Sequence, residues 1–187
     1  MPFPRSKKVH DEASLYEYAI GALGRRMRTV AELKRLLRQK QISGDADATI
    51  ENVVARLKDQ RYLNDNQYAA TYAQLRRDGS KQGQQRVITD LKVKGVHGDV
   101  IAKNVGEAYE GVDDEAQARE YLRRKRIKQP SVAKRSDIAG MKKSQKETAR
   151  VFRTLVRAGF RTATIIKVLK NWDIEDEVLT ELEGETD

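Results

Sequence analysis

Leu91-Lys92-Val93-Lys94-Gly95-Val96 reads as the end of an apolar helix: a basic last turn, a glycine, then an apolar residue that re-enters the core. A similar turn stands at Leu37-Arg38-Gln39-Lys40-Gln41-Ile42, without the glycine, and at Leu155-Val156-Arg157-Ala158-Gly159-Phe160, with it. Gly95 and Gly159 suit the position after a helix, where a left-handed backbone is unstrained only without a Cβ. An amphipathic helix follows each turn, holding Ile50, Val53, Val54 and Leu57 in the first copy. Val100 to Val105 form it in the second, and Ile165, Ile166, Val168 and Leu169 in the third. A leading helix precedes each turn, over about 11–25, 65–77 and 114–127. The repeat therefore predicts an all-α chain of three tandem three-helix units. Units of this size bury little core alone, so an elongated, curved array is expected.

Working outward, Leu15, Ala19, Ala22 and Leu23 make the first apolar stripe, and Leu33, Leu36 and Leu37 the second. Thr29 with Glu32, and Ser144 with Glu147, fit the capping box that satisfies free N–H groups at a helix start. The expected organisation is a disordered arm over 1–10, then repeats over 11–62, 63–111 and 112–172. An acidic tail covers 173–187. The third repeat is longer than the others, and the excess falls in 128–143. That stretch holds Pro130, Ser131, Ser136 and Gly140, has no clear period, and reads as a mobile basic loop.

Composition agrees. Among 187 residues only three are proline and 6% aromatic, against 35% charged, which suits thin helical layers and not a turn-rich β fold. Without cysteine there is no disulfide and no thiolate metal site. No run approaches the roughly 20 apolar residues of a membrane span, and the basic N-terminus lacks an apolar signal core. The expectation is a cytoplasmic protein with no membrane association.

The net charge of +9 is unevenly placed. Residues 1–117 carry +3, residues 118–172 carry +14 from 17 basic and 3 acidic side chains, and residues 173–187 carry −8. Such asymmetry points to a polyanionic partner or an acidic protein surface. The densest cluster is Arg119, Arg123, Arg124, Lys125, Arg126 and Lys128. Arg119, Arg123 and Arg126 are expected on one helix face, where guanidinium forks would suit carboxylate or phosphate. Two further sets flank the other turns: Arg25, Arg26, Arg28, Lys34, Arg35 and Arg38, then Arg76, Arg77, Lys81, Arg86, Lys92 and Lys94. Each cluster also reads as a solvated face. Trp172 closes the last apolar stripe and is assigned to the core, with base stacking as the alternative.

Between the first two units stands Tyr62-Leu63-Asn64-Asp65-Asn66-Gln67-Tyr68-Ala69. Asn64 or Asp65 can cap the next helix, Leu63 can pack back onto Tyr68, and Tyr62 with Tyr68 can wedge the units together. A structural role is expected for Tyr62, Leu63, Asp65 and Tyr68. This segment resembles the RecX family, which carries a Gly-Tyr-Leu-(Asp/Asn)-Asp-x-x-(Phe/Tyr)-Ala motif. The resemblance extends to Thr29-Val-Ala-Glu32-Leu33-Lys-Arg-Leu-Leu37 upstream. Downstream it includes Arg76-Arg77-Asp78-Gly79, Arg86-Val-Ile88, the Lys94-Gly95 turn and Gly159-Phe160, so that it covers about residues 13–172. Arg61 replaces the glycine, Gln84 and Gln85 stand where proline and a further basic residue are frequent, and the 128–143 loop is longer than typical.

The resemblance implies a protein that binds RecA, sits along the RecA–DNA filament, and lowers its ATPase, strand-exchange and coprotease activities in DNA repair, recombination and the SOS response. DNA contact, directly or within the filament, and a monomeric state go with that reading. An enzyme is not expected. There is no phosphate-cradling Gly-rich loop ending in Lys-Ser/Thr, His10 and His97 stand alone, and no cofactor or metal site is legible. The competing reading is a helix-turn-helix DNA-binding protein, and a third is a helical scaffold whose charge is incidental.

Overall fold

The computed structural model describes residues 9–131, 138–172, 174, 178–180 and 184. Nine α-helices in these residues follow the order that the repeat predicts. They are α1 (Glu12–Arg25), α2 (Val30–Leu37), α3 (Ala46–Asp59), α4 (Asp65–Gln74), α5 (Gln84–Val93), α6 (Gly98–Tyr109), α7 (Asp114–Arg124), α8 (Ile138–Arg157) and α9 (Thr162–Lys170). A π-helical turn, Leu75–Gly79, continues α4. The extended structure among the described residues is one short parallel pair, β1 (Val9–His10) with β2 (Gln41–Ile42). The chain is all-α, as expected. Its contacts gather it into two compact units, 1–71 with 91–104 and 72–90 with 105–187. These divisions do not follow the three repeats.

In the first unit, α1, α2 and α3 enclose Leu15, Ala19, Leu33, Leu37, Ile50, Val53, Val54 and Leu57, with Leu63 closing the cluster. Each helix start is capped as its sequence dictates. Asp11 accepts from Ser14 N–H at α1, and Asp45 accepts from the Asp47 and Ala48 N–H groups at α3. Thr29 and Glu32 form the complete capping box at α2. These side chains bond N–H groups that have no partner within the helix.

The second unit has its core among α7, α8 and α9, where Leu122, Val151, Phe152, Leu155, Phe160, Ile165, Val168 and Leu169 meet. Two glycines let α5 meet the turn after α8 at backbone distance. Gly83 N–H donates to Ala158 carbonyl at 2.8 Å, and Gln85 N–H donates to Gly159 carbonyl at 3.2 Å. The start of one helix thus satisfies the end of another. A Cβ on Gly83 would lie 2.2 Å from the Gly159 oxygen, and Gly159 itself holds φ +87. Tyr109 Oη donates to the Gln82 carbonyl at 2.8 Å, and burial pushes its pKa up to about 12.

Several expectations are corrected. Val9 and His10 belong to β1, with His10 buried, so the arm proposed over 1–10 ends earlier; 1–8 lie outside the described residues. The loop proposed over 128–143 is helical from Ile138 onward, and 132–137 lie outside the described residues. Ser144 and Glu147 therefore sit inside α8 and do not cap it. Ser144 carbonyl accepts from Thr148 Oγ1, and Glu147 binds elsewhere. The acidic tail lies largely outside the described residues, but Leu179 is buried, and Ile174 and Val178 pack on the second unit's core. Trp172 is partly buried against the same core, as assigned. Tyr62 is 60% exposed and so is not a buried wedge; Arg61 before it holds φ +61.

Candidate partner-binding surface

Three of the motif segments, at Thr29–Leu37, Tyr62–Ala69 and Lys94–Gly95, tie to one another inside the first unit. Asn64 Oδ1 caps α4 by accepting from Gln67 N–H, and Asp65 Oδ1 accepts from Val30 N–H at 2.9 Å, capping α2 across 35 residues of sequence. Thr29 Oγ1 donates to Lys94 carbonyl at 2.7 Å. Lys94 Nζ pairs with Glu32 at 3.0 Å, and lies 5.7 Å from the Tyr68 ring centre. Gly95, at φ +76, leaves no room for a Cβ, which would fall 2.4 Å from that of Ala31.

Electrostatics follow from that packing. Burial works against the Glu32 carboxylate, but the hydrogen bonds from Lys94 and Thr29 outweigh it and hold its pKa below the ordinary value. Burial likewise opposes charge on Lys94, and Glu32 overrides it, so the ammonium pKa is raised. Asp65 has only the Val30 N–H and distant Lys58 to offset burial, so its pKa rises. Leu63, Tyr68 and Ala69 are buried. Lys94 is therefore engaged within the first unit.

Most other candidate cations are also paired. Arg119 meets Glu115 at 2.9 Å, Arg123 grips Glu120 with two bonds of 2.7 Å, and Arg124 approaches Glu120 and the Gly79 carbonyl. Arg77 holds Asp78 through two bonds of 2.8 Å and also reaches Ala108 carbonyl. Arg86 meets Asp90 at 3.0 Å, and Arg76 lies 4.8 Å over the Tyr72 ring. In the first unit Lys34 pairs with Glu51 and Arg38 with Asp47. Arg25, Arg26, Arg35 and Lys92 are exposed. Arg119, Arg123 and Arg126 do not share a face. The α7 helix stops at Arg124, and Arg126 lies beyond it with φ +53.

Unpaired charge concentrates instead on α8 and on the segment 125–131. Among the described residues, no carboxylate lies within 4.0 Å of Lys142, Lys143, Lys146, Arg150, Arg126 or Lys128. At about 100° per residue, the basic side chains of α8 from Lys142 to Arg157 fall within an arc of about 100°. Thr148, Val151, Phe152 and Leu155 are buried on the opposite side. A groove of about 520 Å³ lies between segment 125–131 and α8, lined by Lys125, Arg126, Lys128 and Arg150. Its wall is held by Glu147, which accepts from both N–H and Oγ of Ser131 at 3.0 Å and whose pKa is lowered by those bonds. Pro130 is buried, and Gln129 donates to the Trp172 carbonyl at 3.1 Å. The sequence reading missed the α8 cations because Pro130, Ser136 and Gly140 masked the helix start. The Met141–Thr148 period, in phase with Val151 and Leu155, is the signal that would have extended it backward.

Residues 16–57 match the family model described as RecX, first three-helix domain. Regulatory protein RecX of Bacillus licheniformis is 28% identical over 163 residues, which cover 87% of this chain and 56% of that protein. Residues 16–57 thus resemble the first RecX three-helix domain, and the similarity to RecX proteins extends over most of the chain. The Bacillus subtilis regulatory protein RecX is 31% identical over 108 residues, 58% of this chain and 38% of its own length. The chain thus spans about half, or less, of the length of these curated relatives. A crystal structure of RecX from Lactobacillus salivarius shares the fold with TM-score 0.63 at 18% identity, over 87% of this chain and 96% of that one. A second RecX crystal structure aligns with TM-score 0.61 at 18% identity, over 86% and 71%. The RecX relatives are named as regulatory proteins. Among the described residues no group of three or more acidic, His or Cys side chains could hold a metal, and no helix is long and apolar enough to cross a membrane.

Proposed function

We propose that this chain is a RecX-family regulator, cytoplasmic and monomeric, that binds RecA within its DNA filament and lowers its recombinase, ATPase and coprotease activities. Its place would be in DNA repair, recombination and the SOS response. The observation that carries the reading is the division of labour between the motif segments and the cations. The motif segments at Thr29, Asp65 and Lys94 are consumed in holding the first unit together. The unpaired positive charge of α8 is left on the surface, facing solvent. A RecA–DNA filament offers both acidic protein surface and phosphate, and complementary charge speeds and orients docking to such a target. The arginines on α7, already matched to Glu115 and Glu120, suit exchange of one carboxylate partner for another on an acidic protein surface.

The test is RecA-dependent ATP hydrolysis on single-stranded DNA, with this chain added below stoichiometry. Hydrolysis is expected to fall with each addition. Unchanged hydrolysis at every ratio overturns the reading, and protection of one defined duplex site in moderate salt would favour a helix-turn-helix DNA-binding protein instead.

A further inference from the structure

We propose that the groove between segment 125–131 and α8 is a small-molecule site for a nucleoside polyphosphate. This goes beyond the regulator proposed above and needs neither RecA nor DNA.

The first observation is the turn that ends α7. Arg126 N–H donates to the Arg123 carbonyl and Ile127 N–H to the Leu122 carbonyl, each at 3.0 Å. The same pair of bonds closes α5 at Gly95 and α8 at Gly159. Its pivotal residue takes a left-handed backbone, which is unstrained only for glycine. After α7 that residue is an arginine, held at φ +53. Arg61 takes the same place after α3. What sets Arg126 apart is its position on the wall of the groove. No carboxylate among the described residues lies within 4.0 Å of its guanidinium. The chain thus carries strain at a side chain that it does not itself use, and strain of this kind gathers at ligand clamps.

The second observation is the lining. The groove holds about 520 Å³, a volume within the range of small-molecule sites. Four cations line it, Lys125, Arg126, Lys128 and Arg150. Lys125 lies 5.9 Å over the Tyr121 ring, while Lys128 and Arg150, like Arg126, meet no carboxylate among the described residues. Ile127 and Val151 supply an apolar portion. Glu147 is the single acid of the lining, and its Oε2 takes both Ser131 bonds. Its Oε1 accepts from no described residue.

These features select the ligand together. Four cations in one groove call for a small molecule with several negative charges. The two arginines offer planar forks to phosphate oxygens, and the lysines add point charges. The apolar portion suits the face of a base, and Glu147 Oε1 suits a ribose hydroxyl or an amino donor. A nucleoside polyphosphate joins all three in one molecule of that size.

Isothermal titration of ATP into the full chain, at about 0.15 M salt to screen surface charge and without Mg²⁺, is the test. One saturable site per chain is expected, with tripolyphosphate and adenosine each binding about tenfold more weakly or worse. Arg126→Gly is the decisive variant. It relieves the left-handed strain, so the thermal midpoint read from Trp172 fluorescence should rise by about 3 °C. ATP affinity should nevertheless fall about tenfold, as for one lost charge-assisted contact. Arg150→Gln, which leaves the turn untouched, should lower affinity by as much. Arg119→Gln/Arg123→Gln removes cations outside the groove and should change it by less than about twofold, because those charges are already paired. Unchanged ATP affinity in Arg126→Gly overturns the proposal. So does absent ATP binding by the unaltered chain, tripolyphosphate bound as tightly as ATP, or an equal loss in the Arg119/Arg123 variant.

Discussion

Replacing Gly83 by alanine tests the contact that seats α8 in the second unit. The new Cβ would lie 2.2 Å from the Gly159 oxygen, 2.3 Å from the Gly159 carbonyl carbon and 2.6 Å from the Phe160 nitrogen. All three are backbone atoms of a turn bounded by buried Ala158 and Phe160, so no side chain can swing aside. Separation by about 1 Å is needed, and overpacking of this kind costs about 1–3 kcal/mol. The shift also lengthens the hydrogen bonds from Gly83 and Gln85 N–H to the end of α8, at about 1 kcal/mol each. A loss of about 3–4 kcal/mol is expected.

Trp172 is the single tryptophan and lies against the second unit's core, so its fluorescence in a urea titration reports that unit. With a slope of about 1.5–2 kcal/mol per molar urea, the midpoint should fall by roughly 2 M. Gly106→Ala is the control in the same unit. It lies within α6 with nothing within 4 Å of the new methyl group, and alanine there should raise stability by about 0.5–1 kcal/mol. Gly159→Ala should be at least as damaging as Gly83→Ala, because φ +87 adds left-handed strain to a Cβ 2.1 Å from Arg86 nitrogen. A Gly83→Ala midpoint indistinguishable from the unaltered chain would refute the claim that backbone contact fixes this junction.

Two further outcomes concern the first unit, read by far-ultraviolet circular dichroism. Lys94→Met strands the Glu32 carboxylate, whose side chain is 14% exposed, and should cost about 1–3 kcal/mol, below the full penalty of a wholly buried pair. Because Glu32's pKa is lowered, its stabilisation is present above the unfolded value near 4.5 and is lost as pH falls through the lower folded value. The unaltered chain should therefore lose stability in acid more steeply than Lys94→Met, and parallel acid profiles would contradict the pair. Asp65→Asn keeps an acceptor for Val30 N–H and removes a carboxylate whose pKa burial raises; the penalty on the charged form is absent below pH 3.8 and complete above the folded pKa. At neutral pH the asparagine variant should lie within about 0.5 kcal/mol of the parent, while Asp65→Ala loses about 1–2 kcal/mol. Equal damage from both would show that the negative charge, and not the acceptor, serves α2.

The helices were legible because their signals are local. Stripes such as Leu33 and Leu37, the Thr29–Glu32 box and the glycines at 95 and 159 each act within a few residues, and each appears where the sequence places it. What escaped the sequence was set by distant partners. Nothing local says that Asp65 will cap α2 and leave α4 to Asn64, or that Glu147 will bind Ser131 and not cap a helix. The start of α8 was hidden for a related reason. Gly140 and Ser136 are helix-unfavourable by propensity, yet the packing of Thr148, Val151 and Phe152 carries the helix back through Gly140.

The same distinction governs how charge should be read. Counting basic residues singled out α7, the densest cluster in the chain, yet Glu115 and Glu120 lie at helical spacing from Arg119, Arg123 and Arg124 and pair with them. An i,i+4 or i,i+3 rule applied to both signs of charge would have discounted those arginines from sequence alone. Along α8 the rule gives the opposite answer: Lys142, Lys143, Lys146 and Arg150 have only Glu147 among them, and Ser131 takes its carboxylate. A polyanion approaching α7 must displace carboxylates already in place, whereas one approaching α8 displaces water and mobile counterions. Release of those counterions is the favourable term in phosphate binding, so the less dense cluster is the stronger candidate.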